Sequence, residues 1–227
     1  YRLAADLGNK RAQYNLGLLY SNGQGVLQDY KEAVKWYKLA ADQRYSKAQL
    51  NLGYMYSNGQ GVLQDYKEAV KWYRLAADQG NSGAQYNLGL FYDNGQGVLQ
   101  DYKEAMKWYK LAADQGNSGA QYNLGYMYIN GQGVLQDYKE AMKWYKLAAD
   151  QGYSSALNNL GVIYRYGQGV PENHVTAHMY YNLSAYFGNE KALENRDKLS
   201  AEMSSQDISK AQDMAREWLA EYEKRTK

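Results

Sequence analysis

The residues of this chain that could do chemistry are few, and most recur at one fixed spacing. His174 and His178 stand four residues apart and could clip a metal ion from one helix face, but no third ligand stands beside them in the sequence. Packing or a surface place is the simpler reading of that pair. Asn15, Asn51, Asn87, Asn123 and Asn159 recur every 36 residues. A side-chain amide both donates and accepts, so such a ladder can pair with the peptide groups of a bound partner. A structural hydrogen bond between repeats would be equally periodic. Asn is a mediocre residue inside a helix, so a fivefold repetition needs one reason or the other. The Gly-Gln-Gly segments, such as Gly23-Gln24-Gly25, lack the Lys and Ser/Thr of a phosphate loop and read as turns. No Ser/His/Asp set or isolated carboxylate pair is evident. With no cysteine, a thiol nucleophile, a disulfide or a zinc-cysteine site is ruled out. What remains is recognition. The sequence implies no enzyme, no cofactor and no metal.

Residues that recognise a partner must be held in place by something, and the composition limits what. The chain has 227 residues, 26 Lys+Arg against 24 Asp+Glu and a net charge of +2. That balance argues against nucleic acid or an anionic membrane as the main partner. No apolar run approaches the ~20 residues of a membrane-spanning helix. Trp36, Trp72, Trp108 and Trp144 keep the 36-residue period, as do Gly17, Gly53, Gly89, Gly125 and Gly161. Five full repeats follow, 9–44, 45–80, 81–116, 117–152 and 153–188. Residues 1–8 match the end of a repeat, which implies a truncated upstream repeat and a longer parent chain. Residues 189–227 read as a partial repeat and a closing helix.

Each repeat reads as two helices, an all-α pattern without strands. In 81–116, Ser82-Gly83-Ala84-Gln85 reads as a capping box that opens the first helix, and Asn94-Gly95 as its left-handed stop. Asp101-Tyr102-Lys103-Glu104 opens the second. Ala105, Trp108, Tyr109, Ala112 and Ala113 then fall on one apolar stripe. Two helices this short cannot bury such stripes alone, but stacked neighbours can. The expectation is a right-handed superhelical solenoid of antiparallel helix pairs, with Gly89 allowing close approach and Trp108 and Tyr109 filling the space between pairs. Ser204 or Ser205 caps a final helix that carries Ala211, Ala215 and Trp218 on one side and charges on the other. The N-terminal edge has no such cover, so it is expected to pair end to end with another copy or to fray.

The pattern Ala84-x3-Leu88-Gly89-x2-Tyr92-x2-Gly95-x-Gly97-Val98-x2-Asp101-x3-Ala105-x2-Trp108-Tyr109-x2-Ala112-Ala113 resembles the Sel-one-like repeat, a relative of the tetratricopeptide repeat. The resemblance covers residues 1 to about 199. It implies a bacterial scaffold or adaptor that binds other proteins, and it leans toward a periplasmic or secreted compartment. Some relatives staple each repeat with paired cysteines, which this chain lacks.

The repeats can be compared with one another. Repeats 81–116 and 117–152 differ only at Leu90/Tyr126, Phe91/Met127 and Asp93/Ile129, all near the end of the first helix. Core contacts must recur at every step, whereas a surface that reads an irregular partner must vary. The variable places form one helix face: Tyr14 and Leu18, then Leu50 and Tyr54, then Tyr86, Leu90 and Asp93, then Tyr122, Tyr126 and Ile129, then Asn158 and Arg165. The Asn ladder runs beside it. In tetratricopeptide-like folds the matching face lines a concave groove, so these residues and the five asparagines are the expected binding surface. Drift on a neutral surface is the competing reading. The expected partner is a peptide or a protein. The alternative is an immunity-type or regulatory subunit that blocks a folded enzyme.

Overall fold

The computed structural model describes residues 1–226, and all regular structure among them is helical. The chain divides into two compact units, Tyr1–Gln115 and Gly116–Lys227.

In the first unit, α1 (Arg2–Asp6) is followed by three helix pairs: α2 (Lys10–Asn22) with α3 (Tyr30–Asp42), α4 (Ser46–Asn58) with α5 (Tyr66–Ala77), and α6 (Ser82–Asn94) with α7 (Tyr102–Asp114). The caps explain these bounds. Asp29, Asp65 and Asp101 each accept from two first-turn N–H groups of α3, α5 and α7, at 2.9 to 3.1 Å. The first helices end on Gly23, Gly59 and Gly95, all left-handed with φ near +65°. One expected cap moves. Asn81, not Ser82, accepts from the Ala84 N–H at 3.0 Å, and Ser82 is already helical. Both residue types cap well, and Asn81 takes the place one residue earlier.

Helices within a pair are antiparallel. Gln43, after α3, donates to Gln13 Oε1 at the start of α2, while the N–H of Asp29 donates to the Tyr20 carbonyl near the end of α2. Consecutive helices pack along the chain. Each pair seats a buried tyrosine of its second helix on a glycine of its first. A Cβ at Gly89 would lie 2.5 Å from Tyr109 Cδ1, and Gly17 and Gly53 receive Tyr37 and Tyr73 in the same way. The loops lock successive repeats together: a Cβ at Gly61 would lie 2.3 Å from the Tyr30 carbonyl oxygen. A buried glutamine joins them as well. Gln49 Nε2 donates to the Ala41 carbonyl at 3.0 Å, and Gln85 Nε2 to that of Ala77 at 3.2 Å, satisfying helix ends that stacking removes from water.

The second unit holds α8 (Ser118–Asn130) with α9 (Tyr138–Ala149), α10 (Ser154–Arg165) with α11 (His174–Tyr186), then α12 (Glu190–Ser200) and α13 (Ser205–Thr226). Ser204 Oγ accepts from the Asp207 N–H and opens α13. This helix packs on α11 through Ala211 and Ala215, with Trp218 and Tyr222 stacked beside Phe187. Its opposite face carries the exposed Lys210, Asp213, Arg216, Glu217 and Glu221, as a helix that closes a stack requires. At the other end of the chain, Tyr1, Leu3 and Leu7 are exposed apolar side chains.

Candidate functional site

In the first unit the variable face lies on α2, α4 and α6, and its tyrosines are of two kinds. Tyr14 is half-buried, its ring 6.0 Å from Tyr37 and 5.2 Å from Tyr45. Tyr86 leans in the same way on Tyr109. Tyr54 instead stands out at 51% exposure. Leu18 packs with the first repeat's core, and Leu50 bridges to the next repeat, 3.3 Å from where a Cβ of Gly83 would be. Leu90 is half-buried. Asp93 accepts a hydrogen bond from the Tyr109 hydroxyl at 3.1 Å. Burial pushes its carboxyl above the ordinary carboxylate value, and the Tyr109 hydroxyl opposes the shift.

The asparagine ladder also divides. Asn51 hydrogen-bonds the hydroxyls of both Tyr14 and Tyr37 in the preceding repeat. Burial raises the pKa of both tyrosines, and the amide works against the shift. The repeat before Asn87 carries Leu50 where the first carries Tyr14, so there is no such pair of hydroxyls. Its one remaining hydroxyl, that of Tyr73, pairs with Ser57 at 3.4 Å, and burial pushes it up to about 12. Asn15 and Asn123 are half-buried like the others.

In the second unit, Tyr126, Ile129, Asn130, Tyr145, Asn159, Val162, Ile163 and Gln168 line a cleft of about 260 Å³ between α8, α9 and α10. Asn159 Nδ2 donates to the Tyr145 hydroxyl at 3.0 Å and also hydrogen-bonds Tyr122. Tyr122 lies between Tyr145 and Tyr153, tilted against both rings, so it belongs to the packed kind, whereas Tyr126 is 46% exposed. Two expected residues lie elsewhere. Asn158 is buried and accepts from Asn195 Nδ2 at 2.9 Å, so it ties α10 to α12 and is not part of an open face. Arg165 pairs with Glu202 at 2.7 Å and rests over Tyr166. Sequence reasoning missed Asn130, Tyr145, Ile163 and Gln168 as lining residues. The signal was present for Ile163, because its counterpart in repeat 81–116 is the larger Phe91.

Other candidates are engaged in structure. His178 is 1% exposed, with Nε2 2.9 Å from Ser200 Oγ and Nδ1 3.0 Å from Asn182 Nδ2, while His174 pairs with Glu172. The two histidines therefore do not converge. Lys35 and Lys71, exposed on the second helices of their repeats, pair with Glu32 and Glu68 at 3.2 Å. A cleft of about 450 Å³ in the first unit is lined by Ala41, Asp42, Arg44, Gln49, Trp72, Leu75, Asp78 and Gln79. Apart from Arg44 these residue types recur at the next two repeat steps, so this cleft belongs to the unvarying part of the repeat. The loop leucines Leu27, Leu63 and Leu99 are almost wholly exposed and equally unvarying.

The chain matches the Sel1 repeat model five times, at residues 10–45, 46–81, 82–117, 118–153 and 154–188. Among solved structures it is similar to c5321, a protective antigen of uropathogenic Escherichia coli that displays an SLR fold (39% identity, TM-score 0.86). That match covers 97% of this chain and 48% of the antigen, so the chain spans about half the antigen's length. A Sel1 repeat protein from Oxalobacter formigenes matches at 37% identity and TM-score 0.80, over 93% of this chain and 89% of its own. The immunity protein PA5088 from Pseudomonas aeruginosa shares the fold, at 21% identity and TM-score 0.54 over 94% of this chain and 82% of its own. No curated protein matches the sequence. Sel1 repeats are a helical, generally non-catalytic repeat family whose members mediate protein–protein interaction. Five repeat matches across most of the length, on helix pairs joined by tyrosine-on-glycine seats, make this chain a member of the Sel1 repeat family.

Proposed function

We propose that the chain is a non-catalytic interaction scaffold that holds a partner polypeptide against the exposed face of its first helices. One observation carries this reading. Of the three places at which repeats 81–116 and 117–152 differ, two, Leu90/Tyr126 and Asp93/Ile129, lie on that face and the third, Phe91/Met127, is buried, and in the second unit Tyr126 and Ile129 line the cleft. Exposed tyrosines such as Tyr54 and Tyr126 supply large, stiff, amphipathic contact area of the kind that dominates binding energy at interfaces. Among the asparagines, Asn51 and Asn159 are held by tyrosine hydroxyls, which leaves Asn15, Asn87 and Asn123; Asn87 follows a repeat with Leu50 in place of the paired tyrosine and is the one we assign to a partner's peptide group.

The experiment is a pull-down with the folded chain and with a variant carrying Tyr54→Ser, Tyr86→Ser, Leu90→Ser and Tyr126→Ser. Partners captured by the parent should be lost from the variant, while its helical circular dichroism is retained. An unchanged set of captured proteins would sink the reading. The likeness to PA5088 is one of fold and does not favour a folded enzyme over a peptide as the partner.

A further inference from the structure

We infer that the cleft between α8, α9 and α10 is a socket for one uncharged, apolar side chain of the partner polypeptide, of leucine to phenylalanine size. This rests on the reading above and specifies what one part of the face selects.

The chain supplies its own comparison. Eight residues line the cleft: Tyr126, Ile129, Asn130, Tyr145, Asn159, Val162, Ile163 and Gln168. Their counterparts two repeats earlier are Tyr54, Ser57, Asn58, Tyr73, Asn87, Leu90, Phe91 and Gln96. There, Phe91 is 7% exposed and its ring lies 5.3 Å from that of Tyr73, edge on, so the aromatic side chain occupies the space beside the core tyrosine. Ile163 is shorter, and it and Tyr145, both fully buried, lie under the cleft that Tyr126, Ile129 and Val162 border. The wall changes with the floor. Ser57 gives way to Ile129, and Ile129 also stands where repeat 81–116 has Asp93, which accepts a hydrogen bond from the core tyrosine of its own repeat. In the second unit that tyrosine, Tyr145, takes its hydrogen bond from Asn159, and the carboxylate is absent.

The lining that results has no ionised side chain. Ile129, Val162 and Ile163 form an apolar wall, and Asn130, Asn159 and Gln168 are the neutral polar groups beside it. A charged side chain would lose its hydration here and meet no counter-charge. An apolar one loses nothing and gains contact. The volume, about 260 Å³, lies just below the ~300–1,000 Å³ of small-molecule sites. It suits a single anchor side chain, while the neutral amides beside it can meet the flanking peptide groups.

The test is selection from a displayed library of random dodecapeptides on the full chain, on Ile163→Phe, on Ile129→Asp and on a Tyr14→Ser, Tyr54→Ser, Tyr86→Ser variant. Ile163→Phe restores the plug found in repeat 81–116, and Ile129→Asp restores that repeat's charge. Either one tests the socket should the other fail to fold. The expected result is a peptide family with a Leu, Ile, Met or Phe fixed at one position. Synthesised members should bind Ile163→Phe and Ile129→Asp at least about tenfold more weakly, in the range that a filled or mismatched apolar pocket produces. Peptides that bind both cleft variants as well as the parent, yet lose affinity on the triple tyrosine variant, overturn the socket and leave the scaffold reading standing. Peptides that bind all variants alike, or no peptides at all, overturn both.

Discussion

The side-chain amide of Asn159 donates to the hydroxyl of Tyr145 at 3.0 Å, across the boundary between the fourth and fifth repeats. Tyr145 is fully buried, so this amide satisfies a hydroxyl that water does not reach. Asn51 serves the buried Tyr37, which Ser21 also hydrogen-bonds, and the half-buried Tyr14. Removing the amide leaves buried polar groups unpaired, which costs about 1–3 kcal/mol. Asn159→Ala and Asn51→Ala should therefore lower the melting temperature, by about 2–4 °C per kcal/mol for a chain of this size. Asn87→Ala should leave it within about 2 °C of the parent or raise it, because no tyrosine pair waits for that amide and Ala is the better helix residue. Thermal melts of the three variants check this. Equal losses at all three positions would show that the ladder plays one role throughout.

Tyr109 on Gly89 is the seat that sets how closely α6 and α7 approach. A methyl group placed 2.5 Å from a ring carbon of a fully buried tyrosine forces the helices apart. Gly89→Ala gains about 1 kcal/mol of helix propensity. It loses more to overpacking, which costs about 1–3 kcal/mol or more. The net effect should be destabilising. Pairing it with Tyr109→Leu should recover part of the loss, so a double-mutant cycle in urea should give a coupling of at least about 0.5 kcal/mol. Strict additivity would show that the seat is not the constraint.

Much of this architecture could be read from the sequence because it depends on local residues. Asp29, Asp65 and Asp101 open helices, and Gly23, Gly59 and Gly95 close them, by contacts made within a few residues. The period then fixes which helix follows which. The site was less legible because its contacts reach across repeats. Whether Asn51 or Asn87 is held by tyrosines depends on the residue 37 places earlier, Tyr14 or Leu50, and on how far one repeat is offset from the next. The stripe drawn from spacing joined Tyr14 with Tyr54, although one ring leans on the core and the other faces outward. Trp72 is buried as expected, while Trp108, the tryptophan chosen from the sequence as a core filler, is only partly so. The spacing makes Gln85 the partner in a capping box, whereas Gln49 and Gln85 are buried and reach back to the carbonyls of Ala41 and Ala77 in the preceding repeat.

His178 makes the packing of α11 on α12 sensitive to pH. Asn182 Nδ2 donates to Nδ1, so Nε2 carries the ring proton and donates to Ser200 Oγ, whose own hydroxyl donates to the Arg196 carbonyl. The neutral ring is thus fully used. Burial lowers its pKa below the ordinary 6.5, and nearby Arg196 lowers it further, while Asp197 opposes them. Below pH 6.5 the unfolded chain binds a proton that the folded chain does not. This contribution to stability is therefore complete above that value and is lost as pH falls from 6.5 toward the folded-state pKa. Urea unfolding between pH 7.5 and pH 5 should show the decline, and His178→Gln should remove most of it. A variant that loses stability with the same slope as the parent would assign the effect to the chain's carboxylates.

Arg44 adopts φ +59°, where the other repeats place glycine: Gly80, Gly116, Gly152 and Gly188 hold φ between +77° and +87°. A side chain in the left-handed region costs about 1–2 kcal/mol that glycine avoids. Arg44 lines the first unit's cleft of about 450 Å³, as Asp42 and Asp78 do, so the only term to set against the backbone cost is attraction to those carboxylates. The group is exposed, and ion pairs at such positions contribute about 0–1 kcal/mol. The backbone term should therefore win. Arg44→Gly is expected to raise the melting temperature, and Arg44→Ala, which keeps the strained backbone and removes the charge, to leave it level or lower. The difference between these two variants isolates the conformational cost from the electrostatic one. Scanning calorimetry at low and high salt separates them further, since screening acts on the charge term and not on the backbone one. If Arg44→Gly melts below Arg44→Ala, the left-handed turn at this position is not under strain, and the departure from glycine there needs no compensation.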